Sequence, residues 1–198
     1  MASPGRLPPR PEGGHRERLL AGMAEAIREQ GFAATTVADV VRCARTSRRT
    51  FYQHFDDRED CFLALFDDVA ERLLTTIAEA ATGEGPWDER VDRAMAAYLG
   101  ALAADPELSR CCIQDTPGIG PEGQARVRAV HRRWGDLIMR LVNEACAHDP
   151  SLRPLSRETA IVLTGGFRDL VLATLEEGRD LTELQGVGGD LIRRLTVR

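Results

Sequence analysis

Thr36–Phe55, TVADVVRCARTSRRTFYQHF, is the stretch that decides the fold. It reads as two short helices joined by a tight turn. Thr36 stands at the start of the first, with Asp39 three residues on, the spacing of a reciprocal cap. Ser47 opens the second, which carries Arg48 and Arg49 and ends in Tyr52, Gln53 and His54. Four arginines and no acidic residue lie between Val40 and Phe55, in a chain whose net charge is −5. At 100° per residue, with Phe51 pointed at a core, Phe55 and Ser47 fall within about 40° of it, whereas Arg49 and Gln53 point away, near about 160° and 200°. Arg48 and Tyr52 lie on one flank, Thr50 and His54 on the other. Apolar residues therefore anchor this helix and hydrogen-bond donors project from it.

An exposed basic helix of this kind can enter the major groove of DNA. An arginine fork pairs with O6 and N7 of guanine, discriminating by about 1–3 kcal/mol per contact. Arg48 and Arg49, in the first turn, occupy the end that meets base edges. Tyr52, Gln53 and His54, with Thr36 on the preceding helix, suit phosphate oxygens, and Ser47 and Thr50 complete the expected DNA-binding set. Arg58 at the start of the next helix adds a further expected phosphate contact, backed by that helix's N-terminal amides.

Working outward, residues 1–14 are rich in proline and glycine and are expected to be a disordered arm over 1–12, with Arg6 and Arg10 in it. From His15 the pattern is helical almost throughout. Leu19, Leu20, Met23, Ala24 and Ile27 form one stripe, which Gly31 ends and on which Phe32 packs back. Asp57 caps a long fourth helix bearing Phe62, Leu65, Phe66, Val69, Leu73 and Ile77. A fifth is expected over Trp87–Ala104, a short sixth from Asp105–Pro106, a loop at Thr116–Pro121 and a long seventh over 122–147. Residues 157–177 are apolar on nearly every face, which predicts a helix buried on more than one side. Asp180 is expected to cap the last helix. Both final helices carry glycines (Gly165, Gly166; Gly186, Gly188, Gly189), each costing about 0.8–1 kcal/mol relative to alanine, a cost that close backbone packing offsets. No strand pattern or internal repeat is present. The fold class is all-α, with about nine helices.

Of the 198 residues, 43% are hydrophobic and 29% charged, the balance of a folded soluble protein. Nothing resembles a signal peptide or membrane span, so the cytoplasm is the expected compartment. The five cysteines show no zinc spacing and the four histidines are scattered, so neither a metal nor another cofactor is expected. Nucleophile-elbow, phosphate-loop, metalloprotease and dinucleotide motifs are absent, which argues against an enzyme. Cys111–Cys112 leaves open a regulator that senses thiol chemistry, or one that answers to a protein partner.

The N-terminal part resembles the DNA-binding domain of the tetracycline-repressor-like (TetR) family of bacterial regulators, from about Gly13 to Arg72. The resemblance rests on Gly31–Phe32, on A-T-T-V-A-D-V-V (Ala34–Val41), on S-R-R-T-F-Y-Q-H-F (Ser47–Phe55) and on D-R-E-D-C-F (Asp57–Phe62). One departure is plain: Arg45–Thr46 stands where the family has Gly-Val, so Arg45 must accept a turn conformation that glycine takes freely, and gains a possible phosphate contact. The resemblance implies a helix-turn-helix domain over 13–72 and an effector-binding and dimerisation domain over 73–198. It implies a homodimer on a palindromic double-stranded DNA operator, joined through the last two helices of each subunit. Gly165, Gly166, Leu170, Leu184, Gly188 and Leu191 are the expected interface. It also implies a ligand-responsive repressor released by a small, largely apolar effector, for which Met95, Tyr98, Gln114, Trp134 and Phe167 are the expected pocket residues.

Overall fold

A computed structural model describes residues 14–197; the proline-rich arm with Arg6 and Arg10 lies outside them. Among these residues the helices are α1 (His15–Ala34), α2 (Val37–Cys43), α3 (Arg48–Tyr52), α4 (Arg58–Ala81), α5 (Trp87–Ala103), α6 (Pro106–Gln114), α7 (Gly120–His148), α8 (Arg157–Glu176) and α9 (Leu184–Thr196). The all-α expectation holds. The only β pairing among the described residues is an isolated antiparallel bridge between Leu152 and Val197. No helix is long and apolar enough to cross a membrane.

The chain divides into two compact units. The first runs to Ala70 and includes Ala104–Arg126; the second holds Glu71–Ala103 and everything from Val127. The sequence reading divided the chain once, at 72/73, and so grouped α6 with the later helices. In the structure α6 packs on α1. Arg28 donates to Asp105 at 2.6 and 2.8 Å, and Asp105 in turn caps α6 by accepting from the Leu108 amide.

In the first unit, Gly31 breaks α1 at φ 75°, a value glycine reaches without strain. The chain folds back and Phe32 stacks on Phe62 with ring centroids 4.1 Å apart. Gly22 lets α1 and α2 approach closely: a Cβ built there would stand 2.6 Å from the Val40 carbonyl oxygen and 2.8 Å from the Ala44 amide nitrogen. Leu19, Met23, Ile27, Val40, Phe51 and Phe62 form the fully buried core.

In the second unit α5 packs against α9. The Trp87 indole donates to the Thr196 hydroxyl at 3.1 Å, and Arg193 pairs with Asp88 and Asp92. Arg90 and Arg93 donate to Ala81 and Ala80, covering the last carbonyls of α4, which a helix end leaves without partners. Two boundaries differ from the sequence reading. Helix α7 begins at Gly120, because Pro121 fits a first helical turn. Asp180 caps a 3-10 turn, Leu181–Glu183, that leads into α9, rather than α9 itself.

Candidate functional site

Two short helices need strong local anchors, and both have them. The Thr36 hydroxyl accepts from the Asp39 amide while the Asp39 carboxylate accepts from the Thr36 amide and hydroxyl, so the reciprocal cap is complete. These bonds, the Thr36 hydroxyl first, hold the Asp39 carboxyl below its ordinary pKa. Ser47 accepts from the Thr50 amide at 3.0 Å and caps α3. Between them the end of α2 is closed by Thr46 donating to Val41 and Arg45 donating to Arg42. This is the paired closure in which a left-handed residue follows the helix. Arg45 fills that position at φ 49°, the single non-glycine residue with positive φ among those described. The departure from the family pattern is therefore met by backbone strain at Arg45.

Phe51 and Phe55 are buried and hold α3 on the unit, with ring centroids 5.7 Å apart. Arg48, Arg49, Gln53 and His54 are exposed, and Tyr52 is 58% exposed although its ring makes a T-shaped contact with Phe51. Phe51 and Phe55 face inward and Arg49 and Gln53 outward, as the wheel drawn from sequence has them, whereas Ser47, which the wheel put near the core side, is exposed. Of the four arginines, Arg42 is neutralised by Glu29 at 2.5 Å. Among the described residues no ion pair or hydrogen bond occupies the guanidinium groups of Arg45, Arg48 or Arg49, which leaves these three for an anionic partner.

Arg58 departs from the expectation. Its guanidinium donates to the carbonyls of Phe32, Ala33 and Thr35, bonds Glu59, and lies 4.5 Å over the Phe32 ring. It ties the reversed end of α1 to the start of α4, and is not presented for a phosphate. The reversal after Gly31 turns three carbonyls towards one point, where Nη1 meets them while Nε and Nη2 hold the Glu59 carboxylate.

The second unit holds a cavity of about 820 Å³, counting the open solvent at its mouth. Met95, Tyr98, Trp134 and Phe167 line it, as four of the five expected pocket residues. Tyr98 meets Trp134 edge-on at 4.9 Å and Phe167 at 5.9 Å, and its burial raises the hydroxyl pKa. Gln114 does not belong: it sits in the first unit, is exposed and accepts from Arg110 at 2.7 Å. Sequence reasoning missed Arg90 and Thr164, the polar members of an otherwise apolar wall.

The outer faces of α8 and α9 carry exposed apolar residues. Val162, Gly166 and Leu170 follow each other at four-residue spacing, beside Ile161; Val187 and Leu191 do so on α9. A Cβ added at Gly165 or Gly166 would meet nothing within 4 Å. Two of the expected interface residues turn the other way. Leu184 is buried within its own unit, and a Cβ on Gly188 would lie 2.3 Å from Met95 and 2.8 Å from Phe167. Gly188 thus makes room for the cavity wall rather than for another subunit.

Cys111 and Cys112 are buried. Burial pushes the Cys111 thiol up to about 11, so its thiolate, the form that oxidants attack, is scarce at neutral pH. This weighs against the thiol-sensing alternative.

Comparison with known proteins agrees with this geometry. Residues 19–65 match the family described as bacterial regulatory proteins, tetR family. An HTH-type transcriptional regulator of Mycobacterium tuberculosis is 28% identical over 91% of both chains. The HTH-type transcriptional regulator HbdR of Aromatoleum sp. (strain CIB) is 21% identical over 71% of this chain, and the match spans 61% of HbdR's length. Among solved structures, the fatty acid degradation regulator FadR from Bacillus halodurans superposes with a TM-score of 0.79 over 92% of this chain and 96% of its own, at 19% identity. At that identity the likeness establishes the fold.

Proposed function

We propose that this chain, whose residues 19–65 match the tetR family of bacterial regulatory proteins, is a cytoplasmic, homodimeric transcriptional repressor that leaves a palindromic operator when a small apolar effector fills its cavity. The observation that carries the DNA reading is the exposed, unneutralised trio Arg45, Arg48 and Arg49 around a helix anchored by Phe51 and Phe55. In this reading Arg48 and Arg49 meet base edges, while Arg45, Thr36, Tyr52, Gln53 and His54 meet the backbone. Ser47 and Thr50 serve by capping α3.

Arg49→Ala is expected to weaken binding to the promoter of its own gene by about 1–3 kcal/mol and to relax preference at one base position per half-site. Competition binding against a panel of single-base operator variants measures this. Equal loss on every sequence, random duplex included, would reduce Arg49 to a phosphate contact. No preference by the native protein for that promoter over random duplex at any salt would remove the DNA reading itself.

The dimer reading is supported by the exposed Val162–Gly166–Leu170 row with Val187 and Leu191. Glycines at the centre of such a face allow two helix backbones to approach. Val162, 73% exposed in the single chain, is the most exposed large apolar residue of the set. Val162→Asp is expected to convert a dimer to a monomer in sedimentation equilibrium with the helical content of each chain kept. A dimer that survives this change would place the interface elsewhere.

Effector and DNA are coupled reciprocally: an effector that weakens operator binding by some factor is itself bound more weakly, by that factor, on the operator complex.

A further inference from the structure

The cavity has a direction. Arg90 and Tyr98 both line it from α5, eight residues apart, which separates them by about 12 Å along the helix. Trp134, on α7, touches Tyr98, while Glu144, ten residues further along α7, approaches Arg90. One end is therefore marked by Arg90 and the other by Trp134, with aliphatic side chains such as Val91, Leu137 and Ile138 between them.

Each end holds a buried donor that the protein does not satisfy. The Arg90 side chain is 11% exposed and its Nε donates to Ala81, but its Nη2 has no hydrogen-bond partner. The half-exposed Glu144 carboxylate forms a loose ion pair with Nη2 at 3.7 Å, too long for a hydrogen bond. The Trp134 indole N–H is also without a partner. A buried donor left unmade is costly, and more so when it carries charge. The two donors lie too far apart for one acceptor to serve both. Of the two, the guanidinium gains more from an anion, since a charge-assisted bond is about twice as strong as a neutral one. The other arginine acting on the Tyr98 end, Arg168, is already paired with Asp169 at 2.8 Å.

We propose that the effector is an apolar carboxylic acid, its carboxylate held by Arg90 and its body lying along the cavity towards Trp134. This rests on reading the cavity as the effector site. Arg90 is then the residue that separates acids from neutral molecules of the same shape.

Trp87 and Trp134 are the chain's two tryptophans and both line the cavity, so intrinsic fluorescence reports its occupancy. The test titrates the full chain with decanoate and with methyl decanoate. Decanoate is expected to bind about tenfold more tightly or better, in line with a charge-assisted contact. Arg90→Met is expected to erase that preference while ester affinity holds. Because Arg90 also caps α4, Glu144→Gln provides a variant that leaves the cap alone; removing the competing carboxylate is expected to strengthen decanoate binding and leave the ester unchanged. Equal affinity of acid and ester for the native protein overturns the proposal, as does an acid preference that survives Arg90→Met or an acid affinity that Glu144→Gln leaves unmoved. Operator release separates the two readings. If acid and ester bind alike and both release DNA, the effector site stands and the carboxylate inference fails. If neither ligand changes the fluorescence, both fall.

Discussion

Phe51→Ala is expected to melt the recognition helix and to cost about 3–5 kcal/mol, the usual loss for emptying a buried phenylalanine site. Helix α3 has five residues, far below the length at which a helix persists unaided. Its position depends on Phe51, which is fully buried and packs against Phe55 and, in a T-shaped contact, Tyr52. A domain is stable by about 5–15 kcal/mol, so a loss of this size is a large part of the total. Hydrogen exchange of the α2–α3 amides is the measurement, with Arg49→Ala as the control. Both variants lose operator affinity, but only Phe51→Ala is expected to lose amide protection. Native protection in Phe51→Ala would mean that α3 is held by its caps, Ser47 and the Arg45 turn, rather than by its aromatic anchors.

Arg58→Ala separates stability from DNA contact in the opposite sense. Its loss orphans the carbonyls of Phe32, Ala33 and Thr35 and uncovers the Phe32 ring. Hydrogen bonds to a charged group contribute about 1.5–3 kcal/mol, and a cost of about 2–3 kcal/mol is expected here. Lysine is expected to recover only part of it, because an ammonium placed at the carbonyls cannot also make the paired bonds to Glu59 or lie flat over the Phe32 ring. The dependence of operator affinity on salt is expected to keep its slope, since no phosphate partner is removed. A slope reduced by about one unit, with unchanged thermal stability, would return Arg58 to the DNA surface.

Arg58 also marks a boundary of what sequence can tell. Its charge and its place after the recognition helix were visible; the three carbonyls that claim it were not, because they come together only when the chain reverses at Gly31, more than twenty residues earlier. The caps on α2 and α3 were legible because each depends on residues three apart, Thr36 with Asp39 and Ser47 with Thr50. Of the pocket residues, Met95, Tyr98, Trp134 and Phe167 come together because large apolar side chains at helical spacing have nowhere else to go. Gln114 was misplaced because α6 gives no local sign that its partner is α1. The glycines of α8 and α9 were ambiguous in the same way. A glycine in a helix announces that something comes close, and only the fold says whether it is Phe167 of the same unit, as at Gly188, or open space, as at Gly166.

The near contact at Gly22 has a consequence for how such a chain can change over time. Every other residue carries a Cβ, and that atom would press on the Val40 carbonyl and the Ala44 backbone, neither of which can rotate aside. No stepwise route through a slightly larger residue exists at this position. Descendants that keep this spacing of α1 and α2 are held to glycine there, while Arg45, just past the end of the same short helix, shows that a demanding turn can still be occupied by a large residue.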